Sequence, residues 1–596
     1  MDLSKRKNVY YLLTFVVFAV LSFRLGQLQL INPEKFDKEA EKNSVKTIIT
    51  TPARGLIYDK NYKLLVDNKP SYSVTITKKD FDTNQIYSVS SLIGVDPDDI
   101  RSDLKDIEGP NRFIPTRISR DADFKTISYI EENRDNLKGV DYKIEPIRLY
   151  PSSNLRCSHI LGYTKEISKE QMKNQQGDYY KQGDIVGMTG LESSYENYLR
   201  GEKGFQFILQ DSKGREVGGL NDGKNDVAAL SGNDLVLTID ADLQEYAEKL
   251  LGNRKGAIVA MDPNNGEVLT LVSKPDYDLN YFSGKLSPEI WNKLNTDPDK
   301  PLFNRATLTR YPPGSTYKMV TALASLQEGI MKPNSTIECG GSFTFGNRTF
   351  GDHGAYGNIS FVPAIEHSCN VFFYKLVLKI GFDNWTKYGR MFGFGDRTGI
   401  DIPEENRGLL PSPEYFDKVY GPNGWTEGYV VSLGIGQGEL GVTPLQMACY
   451  CAALCNSGTY YQPHLVKFLK NPNTGELSPV SFKKRELNID KDYFKIIQKG
   501  MYNVVNGSGT ATAIRTSSVI IAGKTGTAQN PHGRDHSWFI CYAPYDDPKI
   551  AICVLVENAG FGAAVAAPIA QRIVLKYLLG NTDESEIDDN KYHMPD

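Results

Sequence analysis

Between residues 235 and 580 the strand signals gather at the two ends of the stretch, and this restricts its fold more than any other feature. At the near end, residues 256–261 and 267–272 are apolar runs flanking Asn264-Asn265-Gly266, a hairpin signal. At the far end, residues 537–542 and 550–556 flank Asp546-Asp547-Pro548, and Val519-Ile520-Ile521-Ala522-Gly523 reads as a strand ending at Lys524. Isolated two-stranded hairpins are marginal in water. Both ends of the stretch are therefore expected to share one five-stranded antiparallel sheet. Helix patterns at residues 240–251 and about 566–579 flank it, and the long middle forms a helical subdomain beside it. The fold class is α+β.

Inside that middle lies Tyr311-Pro312-Pro313-Gly314-Ser315-Thr316-Tyr317-Lys318. Two prolines and a glycine make a stiff turn. A helical pattern follows, with Met319, Val320, Ala322, Leu323 and Leu326 on a buried face. Ser315 is thus placed at or near a helix N-terminus, with Lys318 on the same face. A serine hydroxyl needs a neighbouring base, and lysine serves only where burial or nearby cations keep part of it neutral. The helix N-terminus adds N–H groups where an oxyanion would form. Alone, S-x-x-K is equally a helix cap before a surface lysine. Two further stretches give it weight, Ser368-Cys369-Asn370 and Lys524-Thr525-Gly526-Thr527. Alone, these would be a helix N-cap and a strand ending in a bulge.

The ordered set S-x-x-K, S-x-N, K-T-G resembles that of the class B penicillin-binding proteins, most closely those of the cell-elongation machinery. Pro312 before P-G-S-T-Y-K, the Gly434-Ile435-Gly436-Gln437-Gly438 loop, and His536-Ser537-Trp538-Phe539 carry the elongation assignment. The resemblance implies a peptidoglycan D,D-transpeptidase that cross-links stem peptides during lateral wall growth. Ser315 would be the nucleophile and Lys318 its base. Ser368 would relay protons, Asn370 would hold the substrate amide, and Lys524 would supply positive charge and lower the pKa of Lys318. Thr525, Gly526 and Thr527 would bind the substrate carboxylate and backbone. It also implies β-lactams as ligands and a polytopic SEDS-type glycosyltransferase with other elongation proteins as partners. A septal transpeptidase, a D,D-carboxypeptidase or β-lactamase, and a penicillin-binding sensor or scaffold are the competing readings.

The rest of the chain fits that outline. Lys5-Arg6-Lys7 precede an apolar run, and residues 9–30 are long enough to span a bilayer. Positive charge before the run puts the N-terminus (residues 1–8) in the cytoplasm and the rest outside it. Phe23-Arg24-Leu25 suits a signal-peptidase site poorly, so an uncleaved anchor is expected. Arg24 and Gln27 share a helix face, suited to lipid-interface snorkelling or to a partner's membrane helix.

Residues 31–234 alternate short strands and helices and read as a non-catalytic pedestal. Thr51-Pro52-Ala53-Arg54-Gly55-Leu56-Ile57-Tyr58-Asp59, Arg148-Leu149-Tyr150-Pro151 and Gly187-Met188-Thr189-Gly190-Leu191-Glu192 resemble family stretches there. No E-D-x-x-F-type glycosyltransferase signature is seen. Residues 235–580 would be the transpeptidase domain, opening with a strand at 235–239. Residues 581–596 form an acidic tail, expected to be disordered. Lys+Arg is 68 against Asp+Glu 72, which gives no electrostatic reason to expect nucleic acid.

The eight cysteines show no disulfide spacing. Cys339, Asp352, His353 and Cys369 are of zinc-ligand type. Either they hold a structural zinc beside Ser368-Cys369-Asn370, with His367 a weaker candidate, or they are buried thiols with a satisfied loop histidine. The acyl-transfer chemistry itself requires no cofactor.

Overall fold

The protein is described by a computed structural model covering residues 3–27, 45–105, 107–113, 115–174, 179–210, 216–284, 286–583 and 585. The first helix, Leu3–Gly26, carries a 20-residue apolar window, Lys7–Gly26, with none of it buried. A helix this long and uncovered matches the hydrocarbon thickness of a bilayer. Near its end Arg24 Nη1 donates to Gln27 Oε1 at 2.7 Å, so the two polar residues satisfy each other. Residues 28–30 of the expected span, and nearly all of the acidic tail, lie outside the described residues.

The pedestal is built on one long strand, Leu64–Ile76, paired antiparallel with Val140–Leu149 along its whole outer part. Its head closes over a separate core that includes Val74, Ile76, Val89, Ile100 and Ile130. Its base is continuous with the C-terminal core: Ile57, Leu65, Val66, Leu191 and Leu199 cluster with apolar residues of the C-terminal unit. The strand expected at 235–239 exists as Asp234–Leu237. It lies parallel to Ile57–Tyr58 and antiparallel to Val466–Lys470, so it belongs to the sheet of the pedestal base.

A buried ion network fixes that base. Arg54 Nη2 contacts Glu192 Oε2 at 2.6 Å and Glu196 Oε2 at 2.7 Å. Arg148 Nε contacts Glu192 Oε1 at 2.6 Å, and its Nη1 donates to the Gly55 carbonyl and to Asn68 Oδ1. The side chains of Arg148 and Glu192 are 1% and 0% exposed. Burial pushes the Glu192 carboxyl up, but the two arginines outweigh burial and hold it below its ordinary range. The three family-like pedestal stretches therefore meet at one carboxylate.

In the C-terminal unit the five strands are β1 (Gly256–Met261), β2 (Val268–Lys274), β3 (Ala522–Ala528), β4 (His536–Ala543) and β5 (Ile550–Val556). Their order is β2-β1-β5-β4-β3, antiparallel throughout, as the hairpins at both ends require. One expectation is corrected. β3 does not end at Lys524; it runs to Ala528, so Lys524-Thr525-Gly526-Thr527 lies within the strand, paired with residues 537–540 of β4. Backbone pairing is indifferent to side-chain polarity, whereas the apolar run 519–521 had marked the strand too early.

Helix α1 (Ala241–Leu251) starts at Asp240, whose carboxylate accepts from the Leu243 N–H. The helical part contains α2 (Lys318–Gln327), α3 (Asn370–Ile380), α4 (Pro444–Cys455) and α5 (Lys491–Asn506); α6 (Ala566–Leu579) closes the unit against α1 and the sheet. α4 is buried along its entire length. Its Thr443–Gln446 capping box and first-position Pro444 form as the sequence indicates.

The pedestal analysis gives a stability prediction. Glu192→Ala would leave the buried Arg148 guanidinium without a carboxylate and Arg54 with Glu196 alone, and cost about 3–5 kcal/mol. Urea unfolding of the chain checks this, and a midpoint equal to wild type would contradict it.

Candidate active site

The turn before α2 is pressed against β3 backbone to backbone. Gly314 has φ +57, and a Cβ there would lie 2.5 Å from the Thr527 carbonyl oxygen. A Cβ on Gly526 would lie 2.7 Å from the Pro313 carbonyl oxygen. Only glycine fits at either position. The Gly314 N–H donates to the Gly436 carbonyl at 2.9 Å, which ties the turn to the 434–438 loop. Ser315 sits in a single 3-10 turn, Gly314–Tyr317, ahead of α2, and Lys318 opens the α-helix proper.

Lys318 is fully buried. Its ammonium donates to the Ser368 carbonyl (2.6 Å), Ser368 Oγ (3.2 Å) and Asn370 Oδ1 (2.7 Å). Lys524, equally buried, donates to Ser368 Oγ (2.9 Å) and to the Thr525 carbonyl (3.1 Å). The Ser368 hydroxyl thus lies between two lysines from different segments. Ser368 has φ +57, a conformation that costs a serine about 1–3 kcal/mol and that clusters at functional sites. It follows the short helix Phe361–Glu366 and precedes α3. The N-cap of α3 is Cys369, whose sulfur accepts from the Phe372 N–H at 3.3 Å. The cap foreseen at Ser368-Cys369-Asn370 is therefore present, made by the cysteine, and Asn370 is the first helical residue.

Burial is the main cause that lowers the Lys318 amine, to about 8, and Asp352 and Cys369 act against it. The Lys524 amine falls well below its ordinary value, first through burial and then through repulsion from Lys318. The expected lowering of Lys318 is present, with burial its first cause, and repulsion between the two buried lysines disfavours charge on the pair.

The three motifs meet: Lys318 contacts Ser368 and Asn370, Lys524 contacts Ser368, and the turn that carries Ser315 abuts Gly526 and Thr527. Two neighbours join them, and only one had a sequence signal. Thr510 Oγ1 shares a hydrogen bond with Thr525 Oγ1 at 2.7 Å. Gln437 Nε2 donates to the Thr527 carbonyl at 2.8 Å. The loop of Gln437 stood out by its glycines; Thr510 lies in a polar turn with no periodicity to mark it.

Of the zinc-type residues, Cys339, Asp352 and Cys369 come together. The Cys369 thiol donates to Asp352 Oδ2 at 3.1 Å and shares a hydrogen bond with Cys339, while Asp352 Oδ2 also accepts the Val371 N–H at 2.7 Å. His353 follows Asp352 directly, and burial holds its imidazole below its ordinary pKa. His367 stacks on Tyr356 with ring centroids 5.3 Å apart. Among the described residues no three His, Cys, Asp or Glu side chains stand ready around one metal position.

The penicillin binding protein transpeptidase domain model matches residues 256–575, and the penicillin-binding protein dimerisation domain model matches residues 49–237. The chain is 32% identical to the peptidoglycan D,D-transpeptidase MrdA of Acinetobacter baumannii, over 97% of this chain and 89% of that protein. It superposes on PBP2 of Helicobacter pylori, solved in complex with MreC, with a TM-score of 0.79 and 29% identity, covering 90% of this chain and all of the other. It also superposes on a chain from a peptidoglycan synthase complex that coordinates polymerization and crosslinking. There the TM-score is 0.69 and the identity 27%, over 98% of this chain and all of the other.

Proposed function

Since this chain belongs to the penicillin-binding proteins and is a serine D,D-transpeptidase of peptidoglycan, of the cell-elongation type, we propose the following division of its chemistry. Ser315 Oγ attacks the carbonyl carbon of the penultimate D-alanine of a stem peptide. Its proton passes to a neutral Lys318. A neutral amine gives up one of the three donations that the ammonium makes and gains the lone pair a base needs. The backbone N–H groups of Ser315 and Thr527 stabilise the oxyanion. As the C–N bond breaks, a proton relayed through Ser368 reaches the leaving amine, and D-alanine departs. An acceptor amine from a second stem peptide then attacks the Ser315 ester. It loses its proton, and Ser315 Oγ regains one. Lys524 and the Thr525 and Thr527 hydroxyls attract the substrate carboxylate, and Asn370 holds the substrate amide. The observation that carries this reading is the Ser368 hydroxyl lying within hydrogen-bond reach of both buried lysines.

The same reading divides the chain into a cytoplasmic tail (1–8), a single membrane helix (9–30), a pedestal (31–234), the transpeptidase domain (235–580) and an acidic tail (581–596). Lys5-Arg6-Lys7 before the membrane helix favour a cytoplasmic N-terminus and an extracytoplasmic active site. The partners are an MreC-like protein and a polytopic SEDS-type glycosyltransferase, contacted through the pedestal and the membrane helix. Support comes from the relatives seen with MreC and within a synthase complex.

Acyl transfer of this kind needs no cofactor. We also propose that Cys339, Asp352, His353 and Cys369 hold a structural zinc. Two thiols, a carboxylate and an imidazole fit that ion, and three of the four are already in mutual contact or adjacent. Such an ion supplies no step of the reaction; it would brace the start of α3, which carries Asn370 and follows Ser368.

Two measurements test this. A fluorescent penicillin forms a stable adduct that mass spectrometry places on Ser315 and that Ser315→Ala abolishes; no adduct on folded protein would remove the acyl-enzyme. Protein purified without added metal contains about one zinc per chain. Metal-free protein with all four residues intact would remove the zinc site.

A further inference from the structure

β3 is an edge strand of the sheet, and its cleft side is where an extended peptide can add. In an antiparallel ladder alternate residues turn both backbone groups away from the partner strand. Thr525 and Thr527 are two such residues, since their carbonyls accept from side chains: Thr525 from Lys524 Nζ at 3.1 Å, Thr527 from Gln437 Nε2 at 2.8 Å. The Thr527 carbonyl is the one beside the nucleophile, because it faces Gly314, the residue before Ser315. An amide N–H of a donor peptide lying along β3 needs that oxygen.

The Gln437 side chain is not required to hold its own loop. The loop is already tied by the Gly314 N–H to the Gly436 carbonyl (2.9 Å), by the Gly436 N–H to the Leu433 carbonyl (3.0 Å) and by the Gln437 N–H to the Ser432 carbonyl (3.1 Å). Gly436 and Gly438, at φ +71 and +77, flank Gln437 and fix the turn of the loop, so displacement of the carboxamide needs only a change of side-chain rotamer.

We propose that the Gln437 carboxamide stands in for a substrate amide. It occupies the Thr527 carbonyl in the free enzyme, and a donor that places an amide N–H on that oxygen, as a stem peptide does, must first displace it. Gln437 thus slows acylation by such donors and leaves donors without that amide unaffected. This rests on the acyl-transfer reading above. A site populated by its own side chain lowers the apparent affinity for any ligand that needs it by the fraction of time it is free. One neutral hydrogen bond makes that worth about three- to tenfold.

The test uses the full chain in detergent, as wild type, Gln437→Ala and Gln437→Met; methionine keeps the length but cannot donate. Acylation rate constants of Ser315 are measured for benzylpenicillin, which has a side-chain amide, and for penicillanic acid, the same ring system without one. The ratio of the two constants is expected to rise about three- to tenfold in both variants. A general loosening of the site slows both compounds and leaves the ratio alone. A ratio that is unchanged or falls in the methionine variant would overturn the proposal. Failure of wild type to form an adduct with either compound would remove the acyl-transfer reading, and this inference with it.

Discussion

The structure turns on one hydroxyl held between two buried ammonium-bearing side chains. Lys318 comes from the start of α2, Lys524 from the middle of β3, and Ser368 from the junction before α3; the lysines reach Ser368 Oγ at 3.2 and 2.9 Å. Burying two like charges this close is unfavourable unless one gives up its proton. The acceptors supplied to them are a hydroxyl, an amide oxygen and backbone carbonyls, with no carboxylate in contact among the described residues. Those acceptors solvate an amine or an ammonium without locking the charge in place. An ion pair there would have held the lysine permanently protonated and useless as a base. The left-handed backbone at Ser368 is the local cost of placing its hydroxyl between the two.

The rest of the fold keeps those three segments in register. The sheet takes strands from both ends of the domain, which carries β3 across to the helical part. Paired glycines, Gly314 and Gly526, allow the serine turn and β3 to touch through backbone alone, so side-chain rotamers cannot blur the distance between Ser315 and the strand. Farther out, the Arg54–Glu192–Arg148 network fastens the base of the pedestal, whose apolar core is continuous with that of the catalytic unit. The pedestal base and the catalytic unit therefore share one core, while the head has a core of its own.

Elements with a strong local pattern were legible in the chain itself. The two hairpins, the helices at 240–251 and 566–579, the capping box at Thr443 and the apolar anchor all follow from periodicity and turn chemistry. The set of three motifs pointed to one cleft, and Ser368, Lys318 and Lys524 meet there. What local pattern missed depends on contacts between distant segments. β3 was placed too early because Lys524-Thr525-Gly526-Thr527 has little strand propensity and is held by pairing with β4. The strand at Asp234–Leu237 was recognised, but its partners, Ile57–Tyr58 and Val466–Lys470, lie far away in sequence. Thr510 and the carboxamide of Gln437 matter only because folding sets them beside the edge of β3.

The central claim is that burial leaves Lys318 able to act as a neutral base near physiological pH. The pH dependence of Ser315 acylation by benzylpenicillin tests it most directly. Lys318 sheds its proton as pH rises through about 8, so the rate constant should climb with pH below that point and level off above it. A rate constant that stays flat from pH 6 to 9, or falls as pH rises through 8, would contradict the account.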